Sequence, residues 1–556
     1  MRQPTIAALL HTAATAARSF TPESVEQLSQ VITDLSQHPL GSPKQIIAYH
    51  DVLLFVEANP ATRPLYDLAR SEMHRLVHHV HARSKGRSIS EFQNSGIAGS
   101  VVRSGFSLGL NAWLVKRFGA QVELYAEGLE QDRVVQTLNH MLDPVEYEML
   151  HAGKMEWDHW STSLVGQGAD PHRIKKWIVT TAERLPGSTA MREYVFSQFA
   201  LTTQWRTTPD IPSMSTGRAP RVNVHIHDDG LIKRMTLREA FAQKAPRKMS
   251  LTAAERAALG DLAKGVLCLQ LRETDPSTHA EPKETLYYDL GRGITIALFS
   301  MKADMKMALQ SYIGFMVFKN GVPCAYGGGW VMNDDSGFGV NIFPPFRGGE
   351  SAVIVSQLLR LYRHVFHVDT FNVDPYQIGY GNPDGIASGA FWFYYRLGFR
   401  PVERRFLQLA ASEAKAMKED RTYRTSSATL KILAGSTMRW TLPGLRRPSP
   451  ITADAIGDVV THHVNTVFAG DRQAALRQAL TMIGARIKRP VSSKHPVSRI
   501  AVLLQACGYL ESASRSELSR LIRDYPTKLV NEADYVRASQ QHPLLFQCLH
   551  EAELRS

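Results

Sequence analysis

The chain has 556 residues, too many for one ordinary core, and length alone predicts about three to four domains. Hydrophobic residues make up 44% and charged residues 21%, which excludes wholesale disorder, and no apolar run reaches the roughly 20 residues of a membrane-crossing helix. Lys and Arg outnumber Asp and Glu by 64 to 52, so the surface favours nucleic acid, anionic lipid or nucleotide phosphates without specifying one of them.

The first 20 residues carry Arg2 and Arg18 and no acid. Their longest apolar stretch, from Ile6 to Leu10, is shorter than a secretory core, so they read as a first helix ending before Thr21-Pro22, with a mitochondrial presequence as the weaker alternative. Thr21-Pro-Glu-Ser24 is an N-capping signature, and Val25, Leu28, Val31, Ile32 and Leu35 recur at helical spacing behind it. Further helices are predicted over 44–57, 64–82, 130–141 and 190–199. A glycine-rich patch at 96–109 lacks the ending of a phosphate loop and reads as close packing of helices. His74, His78, His79 and His81 fall on one predicted helix beside Arg70, Arg75 and Arg83 and read as a solvated basic face. Trp157, Trp160 and Trp177, beside Lys175 and Lys176, are candidates for base stacking, with burial against helices as the default.

Three prolines and many hydroxyl residues between Thr207 and Pro220 give that stretch a linker composition, and the first boundary is placed there. Residues 222–227 alternate like a strand. They end in His225-Ile-His227-Asp228-Asp229, the most metal-like cluster of the chain, although no third ligand group is legible and a polar strand end is the plainer reading. A helix is predicted over 251–271. Strands then follow at 286–290, 294–299, 314–318, 322–331 and 338–342, with Lys319-Asn320-Gly321 as a hairpin signal. A helix at 350–365, a strand at 370–373 and a helix at 387–397 complete this unit. After Arg405 the pattern is helical to the end, and 440–500 holds nine Lys and Arg against three Asp, including a predicted basic loop at 485–496. Cys268, Cys324, Cys507 and Cys548 lie far apart without metal-ligand spacing. That argues against a disulfide framework and for a reducing compartment, so a cytoplasmic protein is expected.

The chemistry is concentrated in two stretches. In the first, a strand ends at Pro344-Pro345, and Arg347-Gly-Gly-Glu-Ser-Ala352 leads into a helix. Unpaired N–H groups and the helix dipole make such a turn an anion site, to which Arg347 adds a fixed charge. In the second, Gly389-Ala-Phe-Trp-Phe-Tyr-Tyr-Arg-Leu-Gly-Phe-Arg-Pro401 follows just over 40 residues later. Together these stretches resemble the acyl-coenzyme A signature of the GNAT superfamily of N-acetyltransferases. In that family a strand leads into an Arg/Gln-x-x-Gly-x-Gly/Ala loop and a helix, and a later helix ends in a Tyr-x-x-Leu-Gly-Phe-like phrase. Arg347 and Ala352 take the first and last places of the loop, Tyr394 the tyrosine position and Ala390 the place four residues earlier. Two positions depart from the pattern: Glu350 replaces a loop glycine, and Ala387 stands where an asparagine is frequent. A carboxylate at 350 is compatible with a diphosphate only if it pairs with Arg347 or swings away.

An α+β fold is expected: the resemblance implies a GNAT-like mixed sheet at 285–405, and the residue pattern places before it a helical region (1–206) and a linker with a short α/β lead-in (207–284), and after it a basic helical region (406–556). The resemblance implies transfer of an acetyl or other acyl group from acyl-coenzyme A to an amine by direct attack. Arg347, Gly348, Gly349, Ser351 and Ala352 are expected to hold the diphosphate and Val340 and Ile342 the pantetheine arm. Tyr394 is expected to protonate the leaving thiolate, and Asp374 is the candidate base. No metal is expected. Two other readings are kept: aminoacyl transfer from charged tRNA, and a non-catalytic scaffold that binds nucleic acid or a protein through its basic carboxy-terminal region.

Overall fold

The computed structural model describes residues 5–84, 89–152, 161–163, 165–166, 170–445 and 451–554. The protein is α+β, as expected from the sequence. The first helix runs Ile6–Ala16. The Thr21 side chain accepts from the Ser24 N–H and starts Pro22–Ser36, whose inner face is Leu28, Val31, Ile32 and Leu35. Pro43–Ala58 and Arg63–Ser84 follow.

The amino-terminal region is not purely helical. β1 (Val101–Ser104), β2 (Val122–Tyr125) and β3 (Thr202–Arg206) form an antiparallel sheet in the order β1-β3-β2. These strands are four to five residues long and separated by helices, too short for alternation to declare itself. The glycine-rich patch does serve packing. A side chain at Gly109 would meet the His279 ring at 2.7 Å, and the Leu108 and Gly109 N–H groups at the helix start donate to Glu193 at 2.8 Å. A carboxylate of the chain itself thus fills that helix terminus.

The stretch from Thr207 to Pro220 is packed inside rather than strung between bodies. Ser213 and Ser215 are fully buried, Ser215 Oγ is bonded to His50 Nε2 at 2.9 Å, and Arg218 pairs with the buried Glu57. Hydroxyl side chains satisfy its irregular backbone and proline has no N–H to satisfy, so linker composition also suits a buried loop. Residues 222–227, predicted as a strand, join no sheet: the His225 N–H donates to Asn320 Oδ1 and the His227 N–H to Pro60 O, both at 2.8 Å.

The main sheet has nine strands: β4 (Arg247–Lys248), β5 (Leu286–Gly291), β6 (Ile294–Phe299), β7 (Ser311–Lys319), β8 (Val322–Met332), β9 (Asp335–Ile342), β10 (Thr370–Val373), β11 (Arg400–Pro401) and β12 (Met438–Thr441). Their order is β11-β12-β10-β9-β8-β7-β6-β5-β4. The β7–β8 hairpin turns at Asn320 and Gly321, both at positive φ, as its sequence signal requires. All pairings are antiparallel except β9 with β10, which the Ser351–Phe366 helix connects. The sheet therefore extends beyond the predicted unit at both ends, and β12 inserts between β10 and β11.

The carboxy-terminal helices dock on this sheet. Tyr525 and Tyr535 donate their hydroxyls to the Ala308 and Leu309 carbonyls, and buried Lys528 donates to Gln310 O, Ser311 Oγ and Glu532. One connected apolar core runs from Leu9 to Ala552.

Candidate functional site

The site is built where β10 leaves β9. The two strands pair only over Asp335–Gly337 and Thr370–Asn372; β10 then ends at Val373, and Pro375, which has no N–H, opens a short helix. β9 runs on alone on that side to Ile342. Its other edge stays paired with β8 up to Ile342 and beyond, since the Phe343 N–H donates to Cys324 O at 3.0 Å. Backbone groups alternate along a strand, so those of Val340 and Ile342 point toward the side β10 has vacated. Both residues are half-buried. Among the described residues no partner is found for either N–H, and the Ile342 carbonyl accepts from Arg347 Nε at 3.1 Å.

Glycines flank this edge. Gly327, Gly328 and Gly329 of β8 lie opposite Val340, Gly339 and Phe338. A Cβ at Gly328 would meet the Tyr312 ring at 2.4 Å, and one at Gly329 the Tyr362 ring at 2.4 Å, so aromatic rings press on both faces of the sheet. Gln377, from the helix after β10, covers Gly339.

Past Ile342 the chain makes one 3-10 turn, Pro344–Phe346, and reaches the predicted loop. Arg347 and Gly348 are exposed, and Gly349, Ser351 and Ala352 are half-buried. Gly348 has φ +74, a conformation that costs any other residue strain. Glu350 is the N-cap of the helix, but its side chain makes no cap hydrogen bond and leaves the first-turn amides of Ser351 and Ala352 without that partner. Of the two arrangements expected of Glu350, the side chain takes the second: it turns inward and does not pair with Arg347. Glu350 is buried, accepts from the Ile232 N–H at 2.8 Å, pairs with Lys319, and lies 3.8 Å from His227 Nε2 and 3.4 Å from Arg292. Burial alone would raise this carboxyl; His227, Lys319 and the Ile232 amide outweigh it and hold the group well below the usual carboxylate range. Burial likewise pulls the Lys319 ammonium below its ordinary value while Glu350 pulls it back.

The sequence reading missed the residues that brace this loop. Arg18 donates to Arg347 O at 3.0 Å and Pro345 O at 3.2 Å and lies 4.5 Å over the Phe55 ring, which also abuts Gly349. Asn59 Oδ1 accepts from Lys319 at 2.7 Å. Nothing local in the sequence signals these partners, because they lie roughly 260 to 330 positions away in the chain.

Tyr394 is buried in the Ala390–Arg396 helix beside Phe393 and Phe399. Burial raises its phenol, so it stays protonated at neutral pH, and no hydrogen bond to its hydroxyl is found among the described residues. Asp374 is exposed and caps the Pro375–Ile378 helix through the Tyr376 N–H at 2.8 Å. A second carboxylate, Asp335, was not singled out from sequence. Burial pushes it up to about 6 against hydrogen bonds from Asn372. It lies at the paired end of β9 rather than the open one, which argues against a role as the base.

The histidine cluster is drawn into the same network: the His225 and His227 rings meet at 4.7 Å, His227 bonds Lys319 at 3.0 Å, and Asp229 pairs with Arg292. Among the described residues no group of three or more His, Cys, Asp or Glu is placed to hold a metal. Lys175 is fully buried and Trp177 partly so, while Trp157 and Trp160 lie outside the described residues. All four cysteines are buried and none is joined in a disulfide. No helix among the described residues is long and apolar enough to cross a membrane.

Comparison of the chain with protein-family models, with curated proteins and with solved structures finds no match.

Proposed function

We propose that the protein transfers an acyl group from acyl-coenzyme A to an amine. The observation that carries this reading is the free edge of β9 at Val340 and Ile342, running directly into an exposed turn with uncapped amides and Arg347. A pantetheine arm has amide groups of its own and pairs with such an edge as a strand would. The diphosphate then falls on the Gly348–Ala352 backbone with Arg347 beside it, as the GNAT resemblance implies.

The acceptor amine attacks the thioester carbonyl carbon. The C–N bond forms, the carbonyl oxygen takes up charge, and a backbone N–H at the end of β9 stabilises it. Collapse breaks the C–S bond, and the thiolate takes the Tyr394 proton to leave as free coenzyme A. The amine proton passes to a base, for which Asp374, half-engaged as a cap, is the candidate. The inward turn of Glu350 supports this reading, because it removes the one local charge that opposed it.

The test is thiol release from acetyl-coenzyme A across a panel of primary amines. Amine-dependent release that Tyr394→Phe lowers through kcat supports the reading. Absence of release with every acyl-coenzyme A and every amine refutes it.

A further inference from the structure

We propose that a second cleft, between the carboxy-terminal half of the Ser351–Phe366 helix and residues 241–246, binds a small phosphate-bearing ligand through Arg360 and Arg363. It lies near the opposite end of that helix from the cofactor turn and does not depend on the acyl-transfer reading. The cleft holds about 440 Å³, within the range of small-molecule sites. Phe241, Gln243, Arg360, Arg363, His364 and His367 line it, and among the described residues Asp369 is the one carboxylate of the lining.

The charge there is unbalanced. Arg363 shares Asp369 at 3.3 Å and also lies 5.3 Å over the Phe241 ring. Arg360 is 7% exposed and has no carboxylate within ion-pair distance among the described residues. Its guanidinium donates only to neutral acceptors: Gln357 Oε1, Gln243 Oε1 at 3.0 Å and the Lys244 carbonyl. A largely buried cation held by neutral groups lacks the counter-charge that such groups ordinarily carry. An oxyanion in the cleft supplies it, and a planar guanidinium is the side chain suited to bind phosphate in two places.

The helix dipole explains part of this set but not all of it. Arg363 and His364 sit in the last turn, where cations answer the negative helix end. Arg360 lies a turn earlier and reaches across to the 241–246 segment. A smaller basic cleft of about 190 Å³ provides the contrast. Its Arg221, Arg247 and Arg292 are all neutralised, by Glu255 at 2.7 Å, Asp289 at 2.5 Å and Asp229 at 2.6 Å. Basic lining alone is therefore common on this surface; an unpaired, largely buried arginine in an open cleft is what singles out this one.

Calorimetric titration of the full chain with inorganic phosphate and with pyrophosphate tests the proposal, with acetate at matched ionic strength as control. The expected result is saturable binding of phosphate or pyrophosphate but not acetate, weakened about tenfold or more by Arg360→Gln and by the half-exposed Arg363→Gln. The second variant keeps the test valid if the first does not fold. Because pyrophosphate can also settle on the turn at Arg347, Arg347→Ala should remove at most that separate event and leave the Arg360- and Arg363-dependent binding in place. No binding of either anion, equal binding of acetate, or binding that Arg347→Ala abolishes while Arg363→Gln leaves it intact would each overturn the proposal.

Discussion

Glu350 opens the Ser351–Phe366 helix yet spends its side chain on Lys319, His227 and Ile232 instead of on the helix amides. Replacing it with glutamine leaves Lys319 buried beside a neutral group, and Glu350→Gln should destabilise the fold by about 3–5 kcal/mol in urea unfolding at pH 7. The pH dependence has a defined sign. A carboxyl held below its unfolded value contributes stability that is present above that value, about 4.3, and is lost as pH falls toward the folded one. The gap between wild type and Glu350→Gln should therefore narrow in unfolding curves taken below about pH 4. Tyr394 offers a cleaner substitution. Its hydroxyl has no partner among the described residues, so Tyr394→Phe breaks no internal bond and should unfold like the wild type. Acyl transfer should still fall about 100-fold in kcat, with little change in KM for the acyl-coenzyme A. A loss confined to KM would remove Tyr394 from the proton path. Both residues could be named from sequence, Glu350 as a departure from a loop pattern and Tyr394 as part of a phrase. What Glu350 does instead was not legible, because Lys319, read as part of a hairpin signal, reaches it only once β7 is folded against the loop.

At the scale of elements, β6 and β10 were read with their observed bounds, because runs such as Ile294-Thr-Ile-Ala-Leu-Phe299 are apolar, β-branched and bounded by turn residues. Residues 222–227 show the limit of that reasoning: they alternate correctly, but their amides pair with the Asn320 side chain and the Pro60 carbonyl. β12 shows the opposite limit. Four residues, Met438-Arg-Trp-Thr441, sit among helices and carry no pattern long enough to read. The glycines of β8 make the sheet testable. Gly329→Val places a branched side chain where even a Cβ meets the buried Tyr362 ring at 2.4 Å, while Tyr362 is anchored through its hydroxyl to Ile313 O at 2.6 Å. That overpacking should cost about 1–3 kcal/mol in thermal or urea unfolding.

For the whole molecule, the predicted regions describe composition better than they describe separable bodies. The amino-terminal helices supply Arg18 and Phe55 to the turn, and the carboxy-terminal region supplies β12 to the sheet and Tyr525, Lys528 and Tyr535 to the segment before β7. A chain ending at residue 405 loses β12 from between β10 and β11. It should lack the near-ultraviolet circular dichroism and cooperative melting of the full chain; a native-like truncated protein would show that the region is an appendage after all. Arg18 holds the turn by its Arg347 and Pro345 carbonyls while stacked over Phe55, so Arg18→Ala should loosen the turn and weaken acyl-coenzyme A binding by several-fold, about 1 kcal/mol.

The most direct measurement is a calorimetric titration of the full chain with acetyl-coenzyme A, run beside Arg347→Ala. Saturable binding at a single site, weakened about tenfold or more in the variant, is the predicted result. No binding up to millimolar ligand, or equal affinity in the two proteins, would contradict the placement of a cofactor diphosphate on the turn ahead of the Ser351–Phe366 helix.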